Sequence, residues 1–171
     1  YLVLLLLERE ANAGSFTRDQ FESALKLIPE RLRNSWKGET INQVFLYELV
    51  GTPWEWGDLD AWSDTDWQAL VEQDCHRTWV AYHRGAIAGY YELYRPDGCN
   101  TEIRYFGLAS QFLGHGFGGA LLSHAIESAW QWPGTTRVWV HTCTFDHPAA
   151  LGNYQARGFR IFKQEETELS Q

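Results

Sequence analysis

Methionine is absent from all 171 residues, even the first. The opening residue is therefore not read as a native start, and the N-terminus is treated as incomplete. Cysteine is scarce. Cys75, Cys99 and Cys143 are odd in number and widely spaced, which supports neither a disulfide framework nor a zinc site and leaves a reducing cytoplasm as the default compartment. No metal is expected, since the histidines show no ligand spacing and no His-Glu-x-x-His occurs. Basic residues are outnumbered, with 14 Lys and Arg against 22 Asp and Glu for a formal net charge of -8. That balance argues against a general nucleic-acid binder, which needs a basic face to displace counterions from phosphate. It suits a cationic small molecule. Long apolar runs are missing too. Residues 1–7 are apolar but too few to cross a bilayer. No basic stretch precedes them and Glu8 follows at once, unlike a signal peptide. They read as a buried strand, and no membrane partner is expected.

What remains is the composition of one soluble globular unit, 44% apolar and 21% charged, taken as a single domain over residues 1–171. Residues 17–28 place Phe21, Ala24, Leu25 and Ile28 at helical spacing. Residues 42–50 are apolar and fit either helix or strand. Residues 51–60 form a loop rich in Gly, Pro and Trp, and Ser63 with Asp66 opens a helix to about Gln73. The second half differs. Residues 78–83, 86–94 and 101–108 read as an antiparallel meander with turns at Arg84-Gly85 and Pro96-Asp97-Gly98. A helix over residues 117–130 carries Leu121, Leu122, Ala125, Ile126 and Ala129 on one side. A strand over 137–145, a short helix over 147–157 capped by Asp146 or His147, and a strand over 159–164 complete the chain. The order β-α-α-β-β-β-α-β-α-β is an α+β domain.

Between the meander and the following helix stands Gln111-Phe-Leu-Gly114-His115-Gly116-Phe117-Gly118-Gly119. Glycines there let the backbone turn sharply, and the free N–H groups of a helix start attract an anion, a phosphate or pyrophosphate above all. Gly114, Gly116 and Gly119 also fit the dinucleotide fingerprint G-x-G-x-x-G. The context is wrong for it: residues 109–113 separate strand from glycine, no acid stands near residues 134–141, and the preceding strands form a meander instead of βαβ units.

The segment Gln111-x-x-Gly114-x-Gly116 with Gly118 resembles the Q/R-x-x-G-x-G/A signature of the GNAT superfamily of N-acetyltransferases. The later block from Ala150 through Tyr154 to Gly158-Phe159 is similar to that family's A-x-x-x-Y-x-x-x-G-F segment. The resemblance spans a cofactor core of about residues 78–163. It implies the GNAT fold, a mixed and mostly antiparallel sheet flanked by helices, and acetyl-CoA as cofactor. It implies that Gln111, Leu113, Gly114, His115, Gly116, Phe117, Gly118 and Gly119 hold the pyrophosphate. The pantetheine arm would pair with Phe106, Gly107 and Leu108 between two splayed strands. His147 stands where many members have asparagine, and Asn153 is a candidate to replace it.

Acetyl transfer needs a neutral amine, a polarised thioester carbonyl and a protonated leaving sulfur. Tyr154 matches the family tyrosine that protonates the sulfur; on composition alone it would be a packing aromatic. Glu102 and Glu92, on adjacent strands, are the candidate bases, or else form cross-strand pairs with Arg104 and Arg95. His141 reads as a hydrogen-bonded interior residue, and a nucleophilic pair with Cys143 is the less favoured option. Trp54, Trp56, Trp62 and Trp67, interleaved with Asp58, Asp60, Asp64 and Asp66, fit either an ammonium site or plain packing. The expected function is N-acetylation of a primary amine on a small molecule or peptide in a ternary complex. The alternative is a non-catalytic CoA-binding or sensor domain of the same fold. Many relatives are dimers, which makes a homodimer a possible assembly.

Overall fold

The structure, a computed structural model, describes residues 2–9 and 43–167. The helix expected over residues 17–28 lies outside the described residues. Six strands form one sheet: β1 (Leu2–Arg9), β2 (His76–His83), β3 (Ala86–Tyr94), β4 (Asn100–Leu108), β5 (Arg137–Cys143) and β6 (Arg160–Thr167). The described helices are α1 (Gln43–Gly51), α2 (Asp64–Val71), α3 (Phe117–Gln131) and α4 (Ala150–Gln155), with single 3-10 turns at Thr52–Trp54 and Ser110–Phe112. The ambiguous stretch before Val50 is thus helical. None of these helices is long and apolar enough to cross a membrane.

The strand order is β2-β3-β4-β5-β1-β6. All neighbours are antiparallel except β4 and β5. The α+β class with a mixed, mostly antiparallel sheet is therefore as expected. The first strand does not extend the meander. It fills the gap between β5 and β6, which run parallel to each other, and pairs with both.

The local signals explain most element boundaries. Ser63 accepts from the Asp66 N–H while the Asp66 carboxylate accepts from the Ser63 N–H, a complete capping box at the start of α2. Arg84 and Gly85 both have positive φ at the β2–β3 turn. The block after β5 departs from expectation. The strand stops at Cys143 because the Asp146 carboxylate turns back to accept from Thr142 Oγ1 (2.5 Å) and the Cys143 N–H (3.1 Å). Asp146 is thereby unavailable as a helix cap. The helix starts later, at Ala150, and His147 Nδ1 instead accepts from the Ala149 N–H (3.0 Å).

Each face of the sheet has its own core. On one side α3 and α4 cover Tyr91, Leu93, Ile103, Leu108, Val138 and Val140. On the other, α1, α2 and the loop between them cover Tyr90 and Tyr105 with Leu46, Tyr47, Val50 and Trp67. A bulge sorts β4 between the two. Leu93 faces Ile103 and Tyr91 faces Phe106, so Arg104 and Tyr105 together stand opposite Glu92 alone. The extra residue turns Tyr105 to the α1 side and Phe106 to the α3 side.

The Tyr90 hydroxyl is fully buried and has no partner among the described residues. A buried hydroxyl without a partner costs stability. Tyr90→Phe is therefore expected to stabilise the protein by about 1 kcal/mol in urea unfolding. A loss of stability instead would show that the hydroxyl is satisfied.

Candidate active site

β4 and β5 part company. Their parallel pairing runs from Asn100↔Arg137 to Ile103↔Val140 and goes no further. Beyond that point β4 continues along β3 to Leu108↔Gly89, while β5 continues along β1 to Cys143↔Leu4. Among the described residues, no strand covers the edge of residues 104–108 that would face β5. The Ala109 N–H donates to Ala88 O (3.0 Å), so by alternation the backbone groups of Gly107 also face β3, while those of Phe106 and Leu108 face the open edge and can pair with an extended ligand. Gly107 is needed for a steric reason. A side chain there would collide with Val50 of α1.

The chain then crosses from β4 to α3 through the glycine loop. Gln111 and residues 114–116 are exposed, Leu113 is half-buried, and Gly114 and Gly116 take φ of +77° and +80°. Among the described residues, nothing lies within 4 Å of a β-carbon placed on either glycine. Gly116 is the N-cap of α3, and among the described residues no side chain caps that helix start. The first-turn N–H groups of Phe117, Gly118 and Gly119 are therefore left to a ligand, and the helix dipole favours an anion. The room, the donors and the fixed positive end fit a diphosphate.

Asn153 of α4 braces this helix start. Its Nδ2 donates to Gly118 O (3.5 Å), and its Oδ1 accepts from Arg157 Nη1. Arg157 also donates from Nε to Ser123 Oγ (3.0 Å), and Ser123 Oγ donates to Gly119 O (2.9 Å). Its Nη2 would lie 2.5 Å from a β-carbon on Gly119. Sequence reasoning missed Arg157, although it stands inside the block from Ala150 to Phe159. Tyr154 is buried, with its ring against Phe106 (6.2 Å between centroids) and Phe159 (5.9 Å). Burial first, and then the charge of Asp146, push its hydroxyl well above the ordinary phenol range. The hydroxyl is therefore held in its neutral, protonated form.

The two glutamates are not brought together. Glu92 is fully buried under α1, where its carboxylate accepts from Gln43 Nε2 and lies 2.7 Å from His76 Nε2. Glu102 lies at the root of the fork, with Oε1 2.9 Å from His141 Nδ1. Neither makes the arginine pair considered from sequence. Arg104 lies over the rings of Tyr94 and Tyr105, and Arg95 donates to the backbone of Pro133 (2.7 Å). Burial alone would lower the His141 imidazole, but the hydrogen bond and charge of Glu102, helped by Asp146 and Asp58, raise it overall. Burial also raises the Cys143 thiol, so nothing prepares Cys143 as a nucleophile. Among the described residues, no group of three His, Cys, Asp or Glu could hold a metal.

The tryptophan-rich loop does two things. Trp56, Trp62 and Trp67 pack into the core beside Tyr47 and Tyr105. Trp54 instead reaches the turn after β5 and meets the His147 ring edge-on at 5.2 Å between centroids. In the same loop Asp58 accepts from Tyr47 Oη (2.8 Å) and from Tyr105 Oη. The carboxylate is thereby oriented while the residue remains exposed.

Comparison with known proteins gives the family and the fold. The family model described as Acetyltransferase (GNAT) family matches residues 43–159, and the chain belongs to that family. Its members use acetyl-CoA. No curated protein matches the sequence. Among solved structures, an IAA acetyltransferase from Bacillus cereus ATCC 14579 is 27% identical with a TM-score of 0.57, covering 76% of this chain and 77% of that one. A GNAT family acetyltransferase from Elizabethkingia anophelis, solved with acetyl-CoA bound, is 23% identical with a TM-score of 0.55 over 76% of each chain. A functionally unknown conserved protein from Staphylococcus epidermidis ATCC 12228 is 19% identical with a TM-score of 0.59. Its match covers 96% of this chain but only 60% of that one, so the chain spans less than two thirds of that relative.

The Arg157 bridge is testable. Arg157→Gln removes charged hydrogen bonds to Ser123 and Asn153 and is expected to lower stability by about 1–2 kcal/mol in chemical denaturation. An unchanged midpoint would mean that the bridge does not hold α4 to α3.

Proposed function

We propose that the protein is an acetyl-CoA-dependent N-acetyltransferase that acts on a primary amine of a small molecule or peptide by direct attack in a ternary complex. One observation carries this reading: the unpaired edge of β4 at the fork leads straight into the uncapped, glycine-lined start of α3. One extended ligand can then pair with a strand through its arm and place its diphosphate on a helix N-terminus. Acetyl-CoA would supply the activated acetyl group. Gly114 to Gly119 would hold the diphosphate, and Phe106 to Leu108 would align the arm, with a backbone N–H to polarise the thioester carbonyl.

Tyr154 would give its proton to the departing sulfur. Of the two glutamates, Glu102 is the one placed to assist removal of the acceptor's proton. It lies at the fork, whereas Glu92 is enclosed by Gln43 and His76. The acceptor would enter from the side of Trp54, His147 and Asp58. Carboxylates and ring faces there favour an ammonium, and the negative chain favours its approach.

Acetyl-CoA is expected to raise the melting temperature, because it binds only the folded state. Gly116→Glu, which sets a charge and a side chain against the phosphates, is expected to abolish that shift; an undiminished shift would move the cofactor elsewhere. CoA release should be scanned with an arylethylamine, a polyamine, an aminosugar and a lysine peptide. Binding without release by any amine would leave a non-catalytic CoA-binding domain. With an active amine, Tyr154→Phe should lower kcat by about tenfold to a thousandfold while acetyl-CoA affinity holds. Unchanged turnover would make Tyr154 a packing residue.

A further inference from the structure

The root of the fork brings together two groups whose combined chemistry exceeds that of the glutamate alone. Glu102 pairs in register with Trp139, and the parallel ladder ends one step later at Ile103↔Val140. His141 is thus the first residue of β5 beyond the ladder, where the gap opens. Trp139 and His141 alternate with the buried Val138 and Val140, so His141 turns to the same face as Glu102. The two side chains meet at 2.9 Å through Nδ1 and Oε1, with Glu102 12% exposed and His141 36% exposed. An acceptor entering the fork therefore meets the imidazole, not the carboxylate.

We propose that the acceptor's proton is taken by Nε2 of His141, and that Glu102 is a positioning residue that holds the imidazole by Nδ1 and stabilises its charged form. This rests on the acetyltransferase reading above. With Nδ1–H donating to Glu102, Nε2 keeps its lone pair and is the nitrogen left to work. The charged groups that bear on the ring are Glu102 from β4, Asp58 from the loop before α2 and Asp146 from the turn after β5. All three are acidic and favour a proton on the imidazole. An imidazole also suits the task better than a carboxylate. Its ordinary pKa stands about two units above that of glutamate, nearer to neutral pH and to an alkylammonium.

The step balances. The bound ammonium gives one proton to Nε2, and the freed lone pair forms the N–C bond at the thioester carbonyl. The C–S bond breaks, and the Tyr154 hydroxyl proton passes to sulfur. The Tyr154 oxygen recovers the second nitrogen proton, directly or through water, and the imidazolium releases its proton to solvent. The products are an amide, a thiol and one proton.

Two experiments test this. The first needs no turnover: an NMR titration of the histidine ring nitrogens in the parent, His141→Gln and Glu102→Gln proteins. The resonance missing from His141→Gln should titrate above the ordinary imidazole value of about 6.5 in the parent and fall in Glu102→Gln. A value at or below the ordinary one, or no response to Glu102→Gln, overturns the pairing.

The second experiment measures CoA release by the fastest alkylamine of the panel and by hydroxylamine, which is already neutral at pH 7.5. His141→Gln should cost about a hundredfold in kcat with the alkylamine and far less with hydroxylamine, with acetyl-CoA binding retained. The base works in its neutral form, so the rate rises as pH passes its pKa. Glu102 holds that pKa up, so Glu102→Gln should move the rising limb to lower pH and reduce the plateau. Parent-like rates in His141→Gln, or a Glu102→Gln profile depressed most at low pH with its limb unmoved, would return the base to the carboxylate. Equal losses with both amines would make the pair structural. Failure of acetyl-CoA to bind the parent protein would instead sink the acetyltransferase reading, and the ring titration would still decide whether Glu102 tunes His141.

Discussion

The failure of β4 and β5 to pair beyond Ile103 and Val140 is the constraint on which the rest depends. A sheet that separates along one seam leaves a row of backbone donors and acceptors inside the protein, and such groups need partners. The separation is built into both strands. The bulge at Arg104 and Tyr105 re-aims β4, while β1 holds β5 from its far side through Cys143. Each arm is thus supported by a neighbour of its own, and the gap can persist without a ligand. The chain leaving β4 at the end of that gap forms the glycine loop, so the fork and the uncapped start of α3 share one end of the sheet.

The two faces divide the work. The α3 and α4 side braces the elements proposed to hold the cofactor. Tyr154 packs on Phe106, and Asn153 and Arg157 tie α4 to the first turns of α3. The α1 and α2 side gathers acidic and aromatic groups over the mouth of the fork. Asp58 is steered by two tyrosine hydroxyls, whose own ionisation is suppressed by burial and by that same carboxylate. Neutral donors thus orient a charged acceptor, which keeps the carboxylate available to a cation. Diversity in the acceptor would then be expected in residues 52–62, while the cofactor side stays constant.

Much of this was legible in the sequence because its signals are local. The capping box at Ser63 and Asp66, the turn at Arg84-Gly85 and the glycine loop before α3 each depend on a few adjacent residues. What was not legible depends on register between distant strands. Nothing in the continuous apolar run of β1 announces that it enters between β5 and β6. The contrast between Glu92 and Glu102 is equally hidden: Glu92 is sealed by Gln43 and His76 from two other elements, while Glu102 meets His141 across the parallel seam. The family resemblance implied that these strands are neighbours, and the alternation of Trp139 and His141 with two valines placed the histidine on one face. Those two facts together were the available signal for the pair. The short α4 was misread because Asp146, a good cap by type, was used by the preceding turn.

The central claim is that an extended, diphosphate-bearing ligand lies in the fork with its arm along β4. Hydrogen exchange of the full chain with and without acetyl-CoA tests it most directly, because unpaired amides at the fork should exchange freely until the arm covers them. The account predicts slowed exchange at Phe106 and Leu108 and at residues 114–119 together, with β2 unchanged. Slowing confined to another part of the chain, or none at the β4 edge when acetyl-CoA is bound, would contradict it.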